Sequence, residues 1–146
     1  MRGAHPERDV ETAIERSGSL RHGERVLIAC SGGPDSVALV AALHAVAKRM
    51  QLRIALAHVN HGLRASAWQD ECVVLQIAAG FALPLEVSAL QGSERDEQHL
   101  RAARYDALLE AALRQSADVV VTAHHAEDQS ETVLLALLRG AGPEGL

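Results

Sequence analysis

Val26-Leu27-Ile28-Ala29-Cys30-Ser31-Gly32-Gly33-Pro34-Asp35-Ser36 is the stretch whose reading decides the fold. Val26 to Cys30 is an apolar run of strand length, short enough for a buried parallel strand. Ser31-Gly32-Gly33 then supplies a turn that ordinary residues would crowd. A helix is expected at once, with Asp35 and Ser36 at its mouth as caps and Val37, Val40, Leu43 and Val46 repeating behind them at helical spacing. Strand, glycine turn and helix start together make an anion site, because free backbone N–H groups and the helix dipole converge on one point.

The spacing narrows the phosphate chemistry. A loop for γ-phosphoryl transfer reads G-x-x-x-x-G-K-[ST], and the lysine it needs is missing here. Ser-Gly-Gly-x-Asp-Ser instead resembles the pyrophosphate loop of ATP pyrophosphatases, which activate a substrate by AMP transfer. Backbone and hydroxyl donors suit a pyrophosphate leaving group, with Mg²⁺ completing the charge balance. For this stretch alone, an ordinary glycine-rich turn is the alternative.

The rest of the chain repeats the strand and helix alternation. Residues 1–24 are a polar lead-in, with a short helix expected over Val10 to Arg16 and no chemistry of their own. Arg53 to Val59 reads as a second strand. Ser66 caps a helix running to about Ala79, with Trp68, Cys72 and Leu75 on one side. Leu85 to Ser88 is a third strand entered through Pro84. Gln91 to Gln98 is polar and loop-like, and a long helix from about Glu97 to Arg114 draws on Leu100, Leu108, Ala111 and Ala112. Asp118 to Thr122 is a fourth strand whose continuous valines suggest a central position. A last helix is expected over Val133 to Leu138, closed by the Gly/Pro-rich Arg139 to Leu146. The alternation predicts a doubly wound parallel α/β sheet with helices on both faces.

Composition sets bounds on function. The 146 residues, 48% hydrophobic, suffice for one domain with its own core, and 2% aromatic content makes that core Ala, Val and Leu. Met1 to Leu20 is charged rather than signal-like and no run is long enough to span a membrane, so a cytoplasmic location is expected. A net charge of −5 argues against a broad nucleic-acid-binding face, though not against a local one. Cys30 and Cys72 have no metal or redox spacing and read as reduced and structural.

In such sheets ligands bind at the carboxyl ends of the strands, and the polar residues cluster there. Ser31 to Ser36 follows strand one, His58-Val59-Asn60-His61-Gly62-Leu63-Arg64 strand two, and His124 to Glu131 strand four. Three loops should therefore line one cleft. His58, Asn60, His61 and Arg64 offer donors, acceptors and a fixed cation suited to phosphate or a base. For His58 alone, a satisfied histidine at a strand end is the alternative. Zinc at His58, His61, His124 and His125 lacks compact ligand spacing. Asp128 and Glu131 are three apart on an expected helix and share a face, fit for Mg²⁺ or an amino-group substrate, whereas helix-dipole chemistry would also place carboxylates there. Arg101 and Arg104, beside Tyr105, could clamp phosphate or form a solvated face.

Taken together, Ser31 to Ser36, His58 to Arg64, Arg101-x-x-Arg104-Tyr105, Thr122 to Thr132 and Arg139 to Leu146 resemble, in order, the N-terminal domain of bacterial tRNA(Ile)-lysidine synthetase. The resemblance covers about Arg25 to Leu146. It implies the adenine nucleotide alpha hydrolase-like fold of PP-loop ATPases, with residues 25–146 as the ATP-binding catalytic domain, incomplete relative to the family. The implied reaction adenylates C2 of the wobble cytidine of tRNA(Ile) bearing a CAU anticodon, and free L-lysine then displaces AMP to form lysidine. It further implies that Ser31, Gly32, Gly33, Pro34, Asp35, Ser36, His58 and Val59 bind ATP, with Asp35 near Mg²⁺. Asn60, His61, Arg64, Arg101 and His125 would face the substrates. Asp128 and Glu131 would receive the lysine ammonium groups, and Arg104 would join Asp35, Asp128 and Glu131 in catalysis.

Departures from the family pattern are mild within the blocks, with Glu127 where Asp is common and Leu100 where a small residue is common. The larger one is the end at Leu146, before the further strand, helices and tRNA-gripping domains of family members. The apolar Val133 to Leu138 segment and the family resemblance both point to a homodimer. Two other readings follow from the same residues. One is a nucleotide-binding module that needs a separate chain, and the other is a tRNA 2-thiocytidine-type enzyme, for which Cys30 and Cys72 lack the required spacing.

Overall fold

The computed structural model describes residues 6–60, 62, 67–90 and 96–123. Its elements run α1 (Pro6–Ser17), β1 (Arg25–Ala29), α2 (Pro34–Met50), β2 (Arg53–Asn60), α3 (Ala67–Phe81), β3 (Leu85–Ala89), α4 (Glu97–Arg114) and β4 (Val119–Thr122). The strands form one parallel sheet in the order β3-β2-β1-β4. Each parallel pair requires a helical crossover, which is why strand and helix patterns alternate along the chain.

Side-chain alternation along β1 divides the core between the two faces of the sheet. Val26 and Ile28 pack with Val40, Leu43 and Val46 of α2 and Val74 and Ala78 of α3. Leu27 points the other way, to Leu108, Ala111 and Ala112 of α4. Burial of each such large aliphatic side chain contributes on the order of 1.5–3 kcal/mol. The doubly wound arrangement expected from the alternation is therefore present. α1 adds Val10 and Ile14 to the α2 side and is tied there by a 2.6 Å ion pair from Glu11 to Arg49.

Two local expectations are corrected. Asp35 and Ser36 do not cap α2; Gly33 does, with no side-chain cap, because Pro34 takes the first helical position. Proline has no N–H to satisfy and its φ is already helical, so the helix starts earlier than the first capping side chains. The valine run of β4 does not make it central, since among the described strands it borders β1 alone. Its valines report cover on both faces instead, Val119 joining the α2 side and Val120 the α4 side.

On α3, Trp68, Cys72 and Leu75 do share a side, and it is the outer one, with Trp68 63% exposed. The buried residues of that helix are Val74 and Ala78. Both cysteines are free thiols, as expected, but only Cys30 is buried, so Cys72 has no part in the core. None of the described helices is long and apolar enough to cross a membrane.

The sheet order also places the functional region. From β1 the chain steps through β2 to β3 in one direction, then α4 carries it back across the opposite face to β4 on the far side of β1. The direction reverses at β1, and the carboxyl end of such a switch point opens a crevice.

Candidate nucleotide site

A cavity of about 850 Å³ occupies that crevice, within the range of small-ligand and cofactor sites. Its walls come from the ends of β1 and β2, from Ala123 just after β4, and from one side of α4. Of the residues expected to act, Ser31, Ser36, His58, Val59, Asn60, Arg101 and Arg104 line it. Gly32, Gly33, Pro34 and Asp35 form the adjoining turn and the first turn of α2, with Asp35 exposed at its second residue. His61, Arg64, His125, Asp128 and Glu131 lie outside the described residues, as do Ser66 and Val133 to Leu146.

The turn after β1 is held by a short hydroxyl chain. Ser36, buried at 3% exposure, donates from Oγ to the Gly33 carbonyl at 2.9 Å. Its single proton is thereby used, so it accepts from Ser31 Oγ at 3.3 Å and from the Cys30 thiol at 3.7 Å. Ser31 in turn accepts from the Gly33 N–H at 3.3 Å. Gly32 has φ +88°, the left-handed region that glycine enters without strain, and it faces the Asp70 carbonyl and Val74 of α3. This geometry presses the turn against α3 and leaves the start of α2 without a side-chain cap. Uncapped N–H groups and the positive end of the helix dipole suit an anionic ligand.

Across the cavity, Arg101 and Arg104 of α4 supply positive charge. Arg101 donates from Nη2 to the Tyr105 hydroxyl at 3.3 Å, and its guanidinium lies 5.6 Å from the centre of that ring. Both contacts restrict a side chain that otherwise has many rotamers. Asp96 caps α4 by accepting from the Gln98 N–H at 3.1 Å, which fixes where the helix and its arginines begin. At its other end Arg114 pairs with Glu86 of β3.

After β2 the chain is held by Asn60. Its side chain accepts from the Gly62 N–H at 2.9 Å and donates to Glu71 of α3 at 3.1 Å. Gly62 again takes a positive φ, +65°. Beside it His58 is buried, with Nδ1 at 2.8 Å from the Cys30 carbonyl.

Two carboxylates that the sequence reading left out, Asp70 of α3 and Glu97 of α4, also line the cavity. Their helix starts follow loops on opposite faces of the sheet, and no spacing in the sequence links them. Helix-start position was the one available signal. Among the described residues Glu11, Glu15 and His22 also come together, at α1 and the loop after it, in a segment expected to carry no chemistry; Glu11 and Glu15 line a separate pocket with Arg8, Thr12 and Arg49, away from the crevice.

A model of the PP-loop domain family matches residues 5–146. The tRNA(Ile)-lysidine synthase of Salinispora arenicola is 44% identical over 149 residues, covering 98% of this chain and 44% of the relative. That of Symbiobacterium thermophilum is 39% identical over 146 residues, covering 94% of this chain and 30% of the relative. The chain thus spans less than half the length of these curated relatives. Among solved structures, the U34-tRNA thiolase NcsA from Methanococcus maripaludis superposes with a TM-score of 0.71 over 95% of this chain and 50% of its own. At 15% identity that likeness is one of fold.

Proposed function

The chain belongs to the PP-loop domain family, and from that premise we propose that it is the ATP-binding, adenylating part of a tRNA(Ile)-lysidine synthase. The observation that carries this reading is the cavity at the switch point, with the Ser31 to Ser36 turn on one side and Arg101 and Arg104 on the other. A triphosphate against the uncapped start of α2 would direct the α-phosphorus into the cavity, where a base oxygen could attack it. The relatives' names supply the substrate, tRNA(Ile), and the product, lysidine.

In the proposed reaction the C2 oxygen of the wobble cytidine in a CAU anticodon attacks the α-phosphate, and pyrophosphate leaves. The ε-amino group of L-lysine then attacks C2, AMP departs, and a proton is lost from the nitrogen. Ser31 and Ser36, whose hydroxyl protons are directed within the turn, would turn them to the phosphate oxygens when ATP binds, alongside the backbone of Gly32 and Gly33. Asp35 fits a Mg²⁺ that keeps most of its ligands as phosphate oxygens and water, since it offers one exposed carboxylate at the helix start. Bound there, the ion would offset charge on the triphosphate. Arg101 and Arg104 would stabilise charge developing at the transferred group. The substrate-facing roles of His61, Arg64, His125, Asp128 and Glu131, together with a homodimer and a cytoplasmic location, belong to the same proposal and are supported by the sequence reading.

The test is incorporation of labelled lysine into a tRNA(Ile) transcript bearing CAU, with ATP, Mg²⁺ and parallel measurement of AMP. The expected result is lysine on the tRNA with stoichiometric AMP, lost in Asp35→Ala at unchanged fold. Undiminished AMP formation in that variant would refute the role given to Asp35. ATP binding without incorporation would favour a nucleotide-binding module completed by another chain.

A further inference from the structure

His58 is the second of the two buried polar residues among the described ones, at 6% exposure, and it lines the cavity. Its Nδ1 is 2.8 Å from the Cys30 carbonyl oxygen. A carbonyl only accepts, so Nδ1 carries the proton, and in the neutral ring Nε2 is left as an acceptor.

The reason for that first bond is local. Cys30 follows the last residue of β1, where the chain turns away from the sheet. Its N–H still pairs with Ala57 at 2.8 Å, while its carbonyl is taken up by the His58 ring. One nitrogen therefore closes the strand end, and that fixes what the other nitrogen can do. Among the described residues Nε2 has no hydrogen-bond partner. Buried polar atoms are seldom left without one, so an acceptor of this kind in a cavity wall points to a ligand.

We infer that His58 Nε2 accepts a hydrogen bond from a donor on the nucleoside portion of the bound ATP, either the adenine 6-amino group or a ribose hydroxyl. This rests on the ATP site proposed above and adds the selection of the nucleoside to it. The phosphates are excluded as partners, because their oxygens are acceptors. So is the Ser31 and Ser36 pair, whose protons are already directed to Ser36 and to the Gly33 carbonyl. The tautomer is imposed by the fold before the ligand arrives, which makes the acceptor preorganised.

The experiment measures affinities of the whole chain for Mg-ATP, purine riboside triphosphate, 2′-deoxy-ATP and 3′-deoxy-ATP, and repeats them with His58→Asn. An asparagine amide nitrogen can occupy the place of Nδ1 and keep the donor to Cys30, while nothing takes the place of Nε2. The wild-type chain should bind one of the three analogues about 3- to 10-fold more weakly than ATP, the range of one neutral hydrogen bond. Which analogue it is identifies the donor. H58N should bind ATP weaker by a similar factor and lose the discrimination against that analogue. The ¹⁵N shift of His58 Nε2 in the wild-type chain should move upfield on ATP addition, a readout independent of how any variant folds. Equal binding of all four nucleotides, discrimination retained in H58N, or an unmoved Nε2 resonance with ATP bound would each overturn this inference alone. Absence of ATP binding would overturn the site as well.

Discussion

Adjacent glycines in the loop should respond to the same substitution in different ways. Gly32 has φ +88°, and a Cβ built on it would sit 3.4 Å from both the Asp70 carbonyl and Val74. Those are ordinary contacts, so the cost of Gly32→Ala is conformational and not steric. Holding a non-glycine residue at positive φ costs about 1–2 kcal/mol. The loss of unfolded-state freedom returns roughly 0.4–1 kcal/mol, leaving a net destabilisation near 1 kcal/mol. Gly33 has φ −75° and ψ 165°, with Ser31 Oγ at 3.5 Å from a Cβ placed there. Gly33→Ala gains the same unfolded-state term and loses only glycine's advantage at an N-cap, for a net change within about 0.5 kcal/mol of zero. Urea denaturation of both variants reads the difference, and thermal melts should show Gly32→Ala lowered by about 2–4 °C for each kcal/mol. Equal stability of the two variants would refute the assignment of strain to position 32.

Three further outcomes are expected. Tyr105→Phe keeps the ring under Arg101 but removes the hydroxyl that accepts from it; ATP affinity should fall about 2- to 10-fold, and a double-mutant cycle with Arg101→Ala should be non-additive. Additivity would mean that the hydroxyl does not act through Arg101. Leu108→Ala opens the fully buried contact of α4 with the sheet and should cost about 2–5 kcal/mol in urea denaturation. Leu113→Ala, on the same helix but 72% exposed, should stay within about 0.5 kcal/mol of wild type. Asn60→Ala leaves the Gly62 N–H and Glu71 without their common partner. It should raise hydrogen exchange at Gly62, while unchanged exchange there would count against a positioning role for Asn60.

Much of the fold was legible because apolar periodicity and local turn chemistry agree. Val26 to Ile28, the Gly32-Gly33 turn and the spaced valines and leucine of α2 each state a local preference that the tertiary structure keeps. The misreadings have physical sources. A valine run reports burial on two faces, and both an inner strand and an edge strand covered by helices satisfy it, so β4 was not distinguishable by composition. Capping side chains at 35 and 36 looked decisive, yet Pro34 had already set the helix start.

The site divides in the same way. Ser31, Ser36, His58 and Asn60 follow strand ends, and strand ends of a parallel sheet meet at one edge, so sequence order alone brought them together. Asp70 and Glu97 reach the cavity from helices on opposite faces of the sheet, a meeting that depends on crossover geometry. The tautomer of His58 was equally invisible. It depends on the Cys30 carbonyl 28 residues earlier in the chain.

A Mg-ATP titration of the ¹⁵N-labelled chain, followed by amide shifts, tests most directly whether the crevice is a nucleotide site. A nucleotide bound in the crevice should give saturable perturbations concentrated at Ser31 to Ser36, at the end of β2 over Ala57 to Asn60, and along the Arg101 to Leu108 side of α4. Perturbations confined to α1 or the outer face of α3, or no saturable change at all, would contradict a nucleotide site at the switch point between β1 and β4.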